Sequence, residues 1–265
     1  MLIVDAQVHI WGADTPERPW PAGHAHRAHR PQPFSKDDLR TEMATAGVDR
    51  AVIVPPSWEG DRNDLALAAA AAHPDKFAVM GRPPLDVLKP GGPDPHALDH
   101  WHEQPGMLGI RVTTAGADAR ALFSEPDGDW LWRGAERAGI PAMVSIPGLL
   151  PELGRLAGRH PGVRFVIDHL ALARDAHDEA AFGDIANLVA LARHPNCRGQ
   201  GLGAAALFER AIPLSPAVPV PETGVRRVWP AALLLGHRHD RHPLHLPPGG
   251  DPVHRKYGRR HTTGH

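Results

Sequence analysis

The sequence predicts an α/β fold: a barrel of parallel strands with helices on its outside. Three observations carry this. Short apolar runs alternate with helical segments six times over residues 1–198, the pattern of βαβ units with right-handed crossovers. The joints repeat, since His73-Pro74, His160-Pro161 and His194-Pro195 each stop a helix a few residues before the next strand is due. The first strand also ends in side chains that suit a barrel mouth. Leu2, Ile3 and Val4 form a buried-strand run, and Asp5, Gln7 and His9 follow it. Strand positions two apart share a direction, so acid, amide and imidazole point one way at the end where barrel enzymes place their chemistry.

The elements follow in order. A Pro-, His- and Trp-rich loop runs from Ala13 to Pro33 and is expected to form part of a rim. Its His24, His26 and His29 lack a helix to fix their spacing, which argues against a metal there. Ser35 caps a helix to about Ala46, with Asp37 and Asp38 in the first turn and Gly47 after it. Ala51–Val54 is the second strand and leads into a polar loop, Pro55 to Asn63. An Ala-rich helix to His73, a third strand Phe77–Met80 and Gly81-Arg82-Pro83 come next. A helix is expected between Pro95 and His102, a strand at Gly109–Val112 carrying Arg111, and a helix at Trp130–Ala138. Then come a strand at Ala142–Ser145, a helix at Leu149–His160 and a strand at Arg164–Asp168 followed by His169. Glu179 to Arg193 reads as an amphipathic helix with Phe182, Ile185, Val189 and Ala192 near one face.

The totals set bounds. A chain of 265 residues fits one large α/β barrel domain, and 42% hydrophobic residues suffice for its core. A net charge of −1 gives no reason to expect nucleic acid or an anionic membrane as partner. No run is long enough to span a bilayer and no secretory leader is apparent. Cys197 is the single cysteine, which excludes an intrachain disulfide and suits the cytoplasm. The expected partner is a small-molecule substrate, with homo-oligomerisation left open.

After the third joint no strand is expected. Residues 199–265 give Gly199-Gln200-Gly201, four prolines between Pro213 and Pro221, His237, His239, His242 and His245, and a basic end. No period survives apart from Val228–Leu235, so the segment reads as an irregular tail. The spaced histidines could chelate a metal only adventitiously. The expected domains are therefore a barrel at 1–198 and a tail at 199–265.

Three segments resemble the amidohydrolase-related (amidohydrolase 2) family of (β/α)8 TIM-barrel hydrolases. They are Asp5-Ala6-Gln7-Val8-His9-Ile10-Trp11, the loop Pro55 to Asn63, and Val166-Ile167-Asp168-His169-Leu170. With six βα units legible, the barrel is incomplete. The resemblance also suggests what the tail is. Dropping the first nucleotide of Val228–His239 permits Phe-Gly-Pro-Arg-Arg-Cys-Phe-Trp-Gly-Thr-Asp, and the family expects a strand ending in Trp-Gly-Ser/Thr-Asp there. The same shift of Gly199-Gln200-Gly201 permits Val-Lys-Ala, a plausible strand start. The tail is thus expected to be out of frame and disordered.

The resemblance implies water attack on a lactone, ester or amide, or in some relatives decarboxylation. His9 and His169 would be catalytic, moving a proton or positioning water. His169 at the end of an apolar strand also suits acid/base work on its own chemistry, or else is a packed imidazole bonded to a carbonyl. Arg111 inside an apolar strand needs an anion, either a substrate carboxylate or an internal acid such as Asp5 or Asp168. Gln7 would polarise a carbonyl, Trp11 and Trp58 would wall a pocket or belong to the core, and Ser145 falls near the fifth-strand ligand position. The family draws metal ligands from the first, fifth and eighth strands. Here Gln7 replaces one His, Ser145 stands near another position, and the last Asp is missing, Asp240 having no strand to support it. The chain is therefore expected to work without a cofactor, zinc being the alternative, and to be nearest the metal-independent pyrone-dicarboxylate lactonases. Its substrate would be a small carboxylated lactone, ester or amide. The competing expectation is a catalytically dead barrel lacking its last acid.

Overall fold

The computed structural model describes residues 2–25, 28, 30, 32–83, 96–114, 120–124, 128–172 and 178–199. The tail from Gln200 onward lies outside them, as do His26, His29 and the start of the helix expected at 95–102.

Seven strands form one parallel sheet in chain order: β1 (Val4–Val8), β2 (Arg50–Ile53), β3 (Phe77–Gly81), β4 (Met107–Thr113), β5 (Ala142–Ser145), β6 (Phe165–Ile167) and β7 (Cys197–Gly199). The helices are α1 (Lys36–Ala46), α2 (Asp64–Ala72), α3 (Asp129–Arg137), α4 (Leu150–Arg159), α5 (Asp178–Ala181) and α6 (Ile185–Ala190). Each strand pairs in parallel with the next, β1 with β2 through to β6 with β7. The sheet curls as part of a TIM barrel, and among the described residues β1 and β7 are its two edges.

Local signals explain most boundaries. Ser35 and Asp38 form a reciprocal capping box at the start of α1, and Gly47 ends it in the left-handed conformation at φ 69°. Asn196 holds the end of α4 to the start of β6, its amide donating toward the carbonyls of Ala157, His160 and Val163 at 3.0–3.1 Å.

Alternation along the strands separates two cores. Ala51, Ile53, Phe77, Val79, Ile110, Val112, Ala142, Val144, Phe165 and Ile167 face outward into the large cluster beneath the helices. Val54, Met80 and Met143, with Val52 and Val166, form a smaller cluster on the inner face. Polar side chains cap that inner face toward the strand ends: Gln7, Arg111 and Asp168, all buried.

The structure differs from the sequence-based expectation in three places. A seventh strand, β7, does follow the third joint; at three residues it is too short to show a period, and it is specified by pairing with β6. The expected helix at 179–193 is broken into α5, α6 and a 3-10 turn at Leu191–Arg193. Its apolar face does not pack as one stripe, since Ile185 and Val189 are exposed. In place of the helix expected to end at His102, the described residues form turns and a short 3-10 helix, Trp101–Glu103. No helix among the described residues is long and apolar enough to cross a membrane.

Candidate active site

The site is built around a buried ion pair between Arg111 on β4 and Asp168 at the end of β6. The two side chains are 7% and 0% exposed, so water contributes almost nothing to their stabilisation. A guanidinium can only donate and a carboxylate can only accept, which fixes the orientation of the neighbouring Gln7 amide. Its nitrogen donates to Asp168 Oδ1 at 2.5 Å and its oxygen accepts from Arg111 Nη1 at 3.3 Å. β1, β4 and β6 are not neighbours in the sheet, so this contact spans the concave face.

His169 follows in an unusual backbone. His169, Leu170 and Ala171 have φ of 50°, 54° and 55°, three successive left-handed residues with side chains. Each such residue costs about 1–3 kcal/mol, and such strain concentrates at functional sites. The turn brings His169 Nε2 to 3.4 Å from Asp168 Oδ2 and leaves the ring about a quarter exposed. His9 Nδ1 lies 2.6 Å from the Val54 carbonyl, which can only accept, so the proton is on Nδ1.

The rim is tied by charge. Buried Glu59 accepts from the Gly12 N–H at 3.0 Å and from Arg18 Nε at 2.8 Å. Arg18 also makes a two-pronged bond to Asp64 at 2.6 and 2.9 Å. Those bonds, to Asp64 first and Glu59 second, hold the Arg18 guanidinium more firmly in its charged form. The same bond lowers the Asp64 carboxyl below the usual carboxylate range. The loop after β1 is therefore fastened to the loop after β2.

Of the residues picked from sequence, Gln7, Arg111 and His169 come together through Asp168. His9 packs edge-on against Trp58 at 5.6 Å, and Trp58 in turn against Trp11 at 5.5 Å. Both tryptophans are buried in the outer cluster with Phe34, and Trp11 donates to the Gln32 carbonyl. Ser145 ends β5 half-buried, with its carbonyl accepting from Thr114. Sequence reasoning named Asp168 only as a partner for Arg111; its place immediately before His169 was the available signal. It passed over Glu59 and gave Arg82 no role.

A family model described as Amidohydrolase matches residues 4–231. The chain belongs to the amidohydrolase family. An L-fucono-1,5-lactonase from Burkholderia ambifaria is 29% identical over 212 residues, covering 75% of this chain and 67% of that protein. Among solved structures, an amidohydrolase from Burkholderia multivorans with bound HEPES superposes with a TM-score of 0.60 at 21% identity, over 79% of this chain and 72% of its own. A second crystal form of that amidohydrolase carries zinc. A probable 2-pyrone-4,6-dicarboxylic acid hydrolase from Acinetobacter baumannii, with citric acid bound, gives a TM-score of 0.58 at 16% identity over 78% and 73% of the two chains. These structural likenesses show the barrel fold of this amidohydrolase.

A hydrolytic zinc takes about three protein ligands. Among the described residues no group of three or more His, Cys, Asp or Glu side chains is placed to hold a metal ion. The described residues do not fit one.

The ion pair makes a testable demand on stability. Arg111→Met strands a buried carboxylate and Asp168→Leu strands a buried guanidinium, each costing about 3–5 kcal/mol. Urea unfolding of Arg111→Met/Asp168→Leu is expected to show a loss well below the sum of the singles. Additive losses would show that the two charges do not depend on each other.

Proposed function

We propose that this amidohydrolase opens a small carboxylated lactone by adding water. The observation that carries this reading is His169, held against buried Asp168 by a strained left-handed turn, in a chain whose curated relative is a lactonase. The donor set supports a reaction that the chain's own residues perform. An imidazole lone pair takes a proton from water as its oxygen attacks the lactone carbonyl carbon. The ring C–O bond then breaks, the alkoxide collects that proton, and the product is a hydroxy acid. His169 is the base, and Asp168 fixes its tautomer and stabilises the imidazolium that forms. His9 positions the water or the substrate through Nε2. Both ends of the Gln7 amide are engaged by Arg111 and Asp168, so Gln7 braces the pair rather than polarising a carbonyl. Cys197 is free and buried, and burial pushes its thiol up to about 11, which keeps it inert and supports a cytoplasmic setting.

Proton release during hydrolysis tests the reading, with L-fucono-1,5-lactone and a carboxylated lactone offered to the full chain. Turnover is expected, and His169→Ala should lower kcat by about 10²–10⁴-fold with little change in Tm. Turnover that survives His169→Ala, or none by the wild-type chain, would contradict it.

The dead-barrel alternative is not favoured, since the family match and the curated relative are those of hydrolases. The frame shift near residue 198 belongs to this reading because the helical and strand periods of the sequence are lost from Gly199 onward. The family match runs on to residue 231, so the nucleotide sequence of codons 190–265 decides between the two frames. A single inserted or deleted base near codon 198, restoring Trp-Gly-Thr-Asp, is expected. An intact gene with the frame as written would overturn the shift.

A further inference from the structure

Glu59 is a buried carboxylate that the proposed reaction does not use. It closes a short 3-10 turn, Ser57–Glu59, in the loop after β2. A charge so removed from water has to be held by donors. Two are in place on one of its oxygens: the Gly12 N–H at 3.0 Å and Arg18 Nε at 2.8 Å. Gly12 is the third residue after His9. A Cβ at Gly12 would lie 2.9 Å from Arg18 Nε and 3.5 Å from Glu59 Oε1, so backbone, guanidinium and carboxylate meet with no room for a larger residue.

The segment from Val54 to Glu59 grips the chain as it leaves β1. The Val54 N–H donates to the Val8 carbonyl at 2.8 Å, and the Val54 carbonyl accepts from His9 Nδ1. Both contacts use the backbone of Val54, which most residues would supply. The side-chain contributions come from two neighbours in the turn. Trp58 meets the His9 ring edge-on, and Glu59 fixes the backbone three residues beyond that ring. The turn is itself fastened from outside. His24 Nδ1 lies 3.1 Å from the Ser57 carbonyl, and Asp64 anchors the far end of Arg18. A group that must be placed accurately needs such a supporting layer behind it.

We infer that Glu59 is a positioning residue for His9. By accepting from the Gly12 N–H it pins the exit of β1, and so keeps the His9 ring between the Val54 carbonyl and Trp58. An ionised acceptor makes a stronger bond to an N–H than a neutral one, and Arg18 supplies the balancing charge. The effect on turnover rests on the lactone reading, in which His9 acts on water or substrate. The placement of the ring does not, and it is measurable without turnover.

The experiment follows the His9 Nδ1 proton of the full chain by NMR, assigned by its loss in His9→Asn, alongside hydrolysis of the two lactones. Glu59→Met keeps the side-chain volume and removes the acceptor. In it the Nδ1 proton is expected to exchange with water about tenfold faster than in wild type, as a loosened site opens more often. Its kcat should fall about 10–100-fold with KM little changed. Glu59→Gln, which keeps an oxygen for the Gly12 N–H, should restore most of both. In a His9→Asn background Glu59→Met should cost no further kcat, whereas a merely structural role would cost the same in either background. If Glu59→Met does not melt cooperatively, Arg18→Met/Glu59→Met removes the paired guanidinium as well and still takes the acceptor from Gly12. An Nδ1 proton as protected in these variants as in wild type, or a kcat loss that persists in the His9→Asn background, overturns the inference. The lactonase reading then stands wherever turnover depends on His169. Faster exchange without wild-type turnover of either lactone supports the placement of His9 by Glu59 and overturns the lactonase reading.

Discussion

Two opposite charges removed from water hold this site together. Arg111 and Asp168 come from β4 and β6, and Gln7 reaches them from β1. Each charge alone in that interior would cost several kcal/mol, so each is tolerable only because the other is there. Gln7 matches the pair with one donor and one acceptor, which a second histidine could match only by choosing one role at each nitrogen. The three strands are not sheet neighbours, so the network also ties the sheet across its concave face. Apolar packing does not do this there, because the inner cluster is small compared with the layer beneath the helices.

The same carboxylate connects architecture to chemistry. Asp168 Oδ2 faces both Arg111 and His169, so the carboxylate that closes the ion pair also lies against the imidazole. The chain accepts three consecutive left-handed residues to bring that ring back. The Val54 carbonyl holds the His9 ring at Nδ1. The clamp of Arg18 between Glu59 and Asp64 then holds the first rim loop over the ends of β1 and β2.

Much of this was legible from residue types. β-branched runs ending in Asp5, Gln7, His9 and His169 marked both the strands and their polar ends. Arg111 stood out because a cation inside an apolar strand demands an anion, and the sequence left two kinds open; the structure shows the internal one. Arg82 is legible as a polar residue at the end of the third strand, and the outward direction of Gly81 shows which way it faces. β7 was missed because three residues carry no periodicity, so only its partner strand defines it. The helix at 179–193 was overdrawn because a good amphipathic pattern says nothing of whether a layer exists to receive its face. Ile185 and Val189 have none among the described residues that covers them.

The preset of the two imidazoles is the claim from which the chemistry follows, and nitrogen-15 NMR of the histidine rings at neutral pH reads it directly. His169 is expected as the Nε2-protonated tautomer and His9 as the Nδ1-protonated one, with Asp168→Asn releasing His169 alone into a mixture of forms. A His169 ring that already samples both tautomers in the wild-type chain would contradict the role given to Asp168 and, with it, the general base.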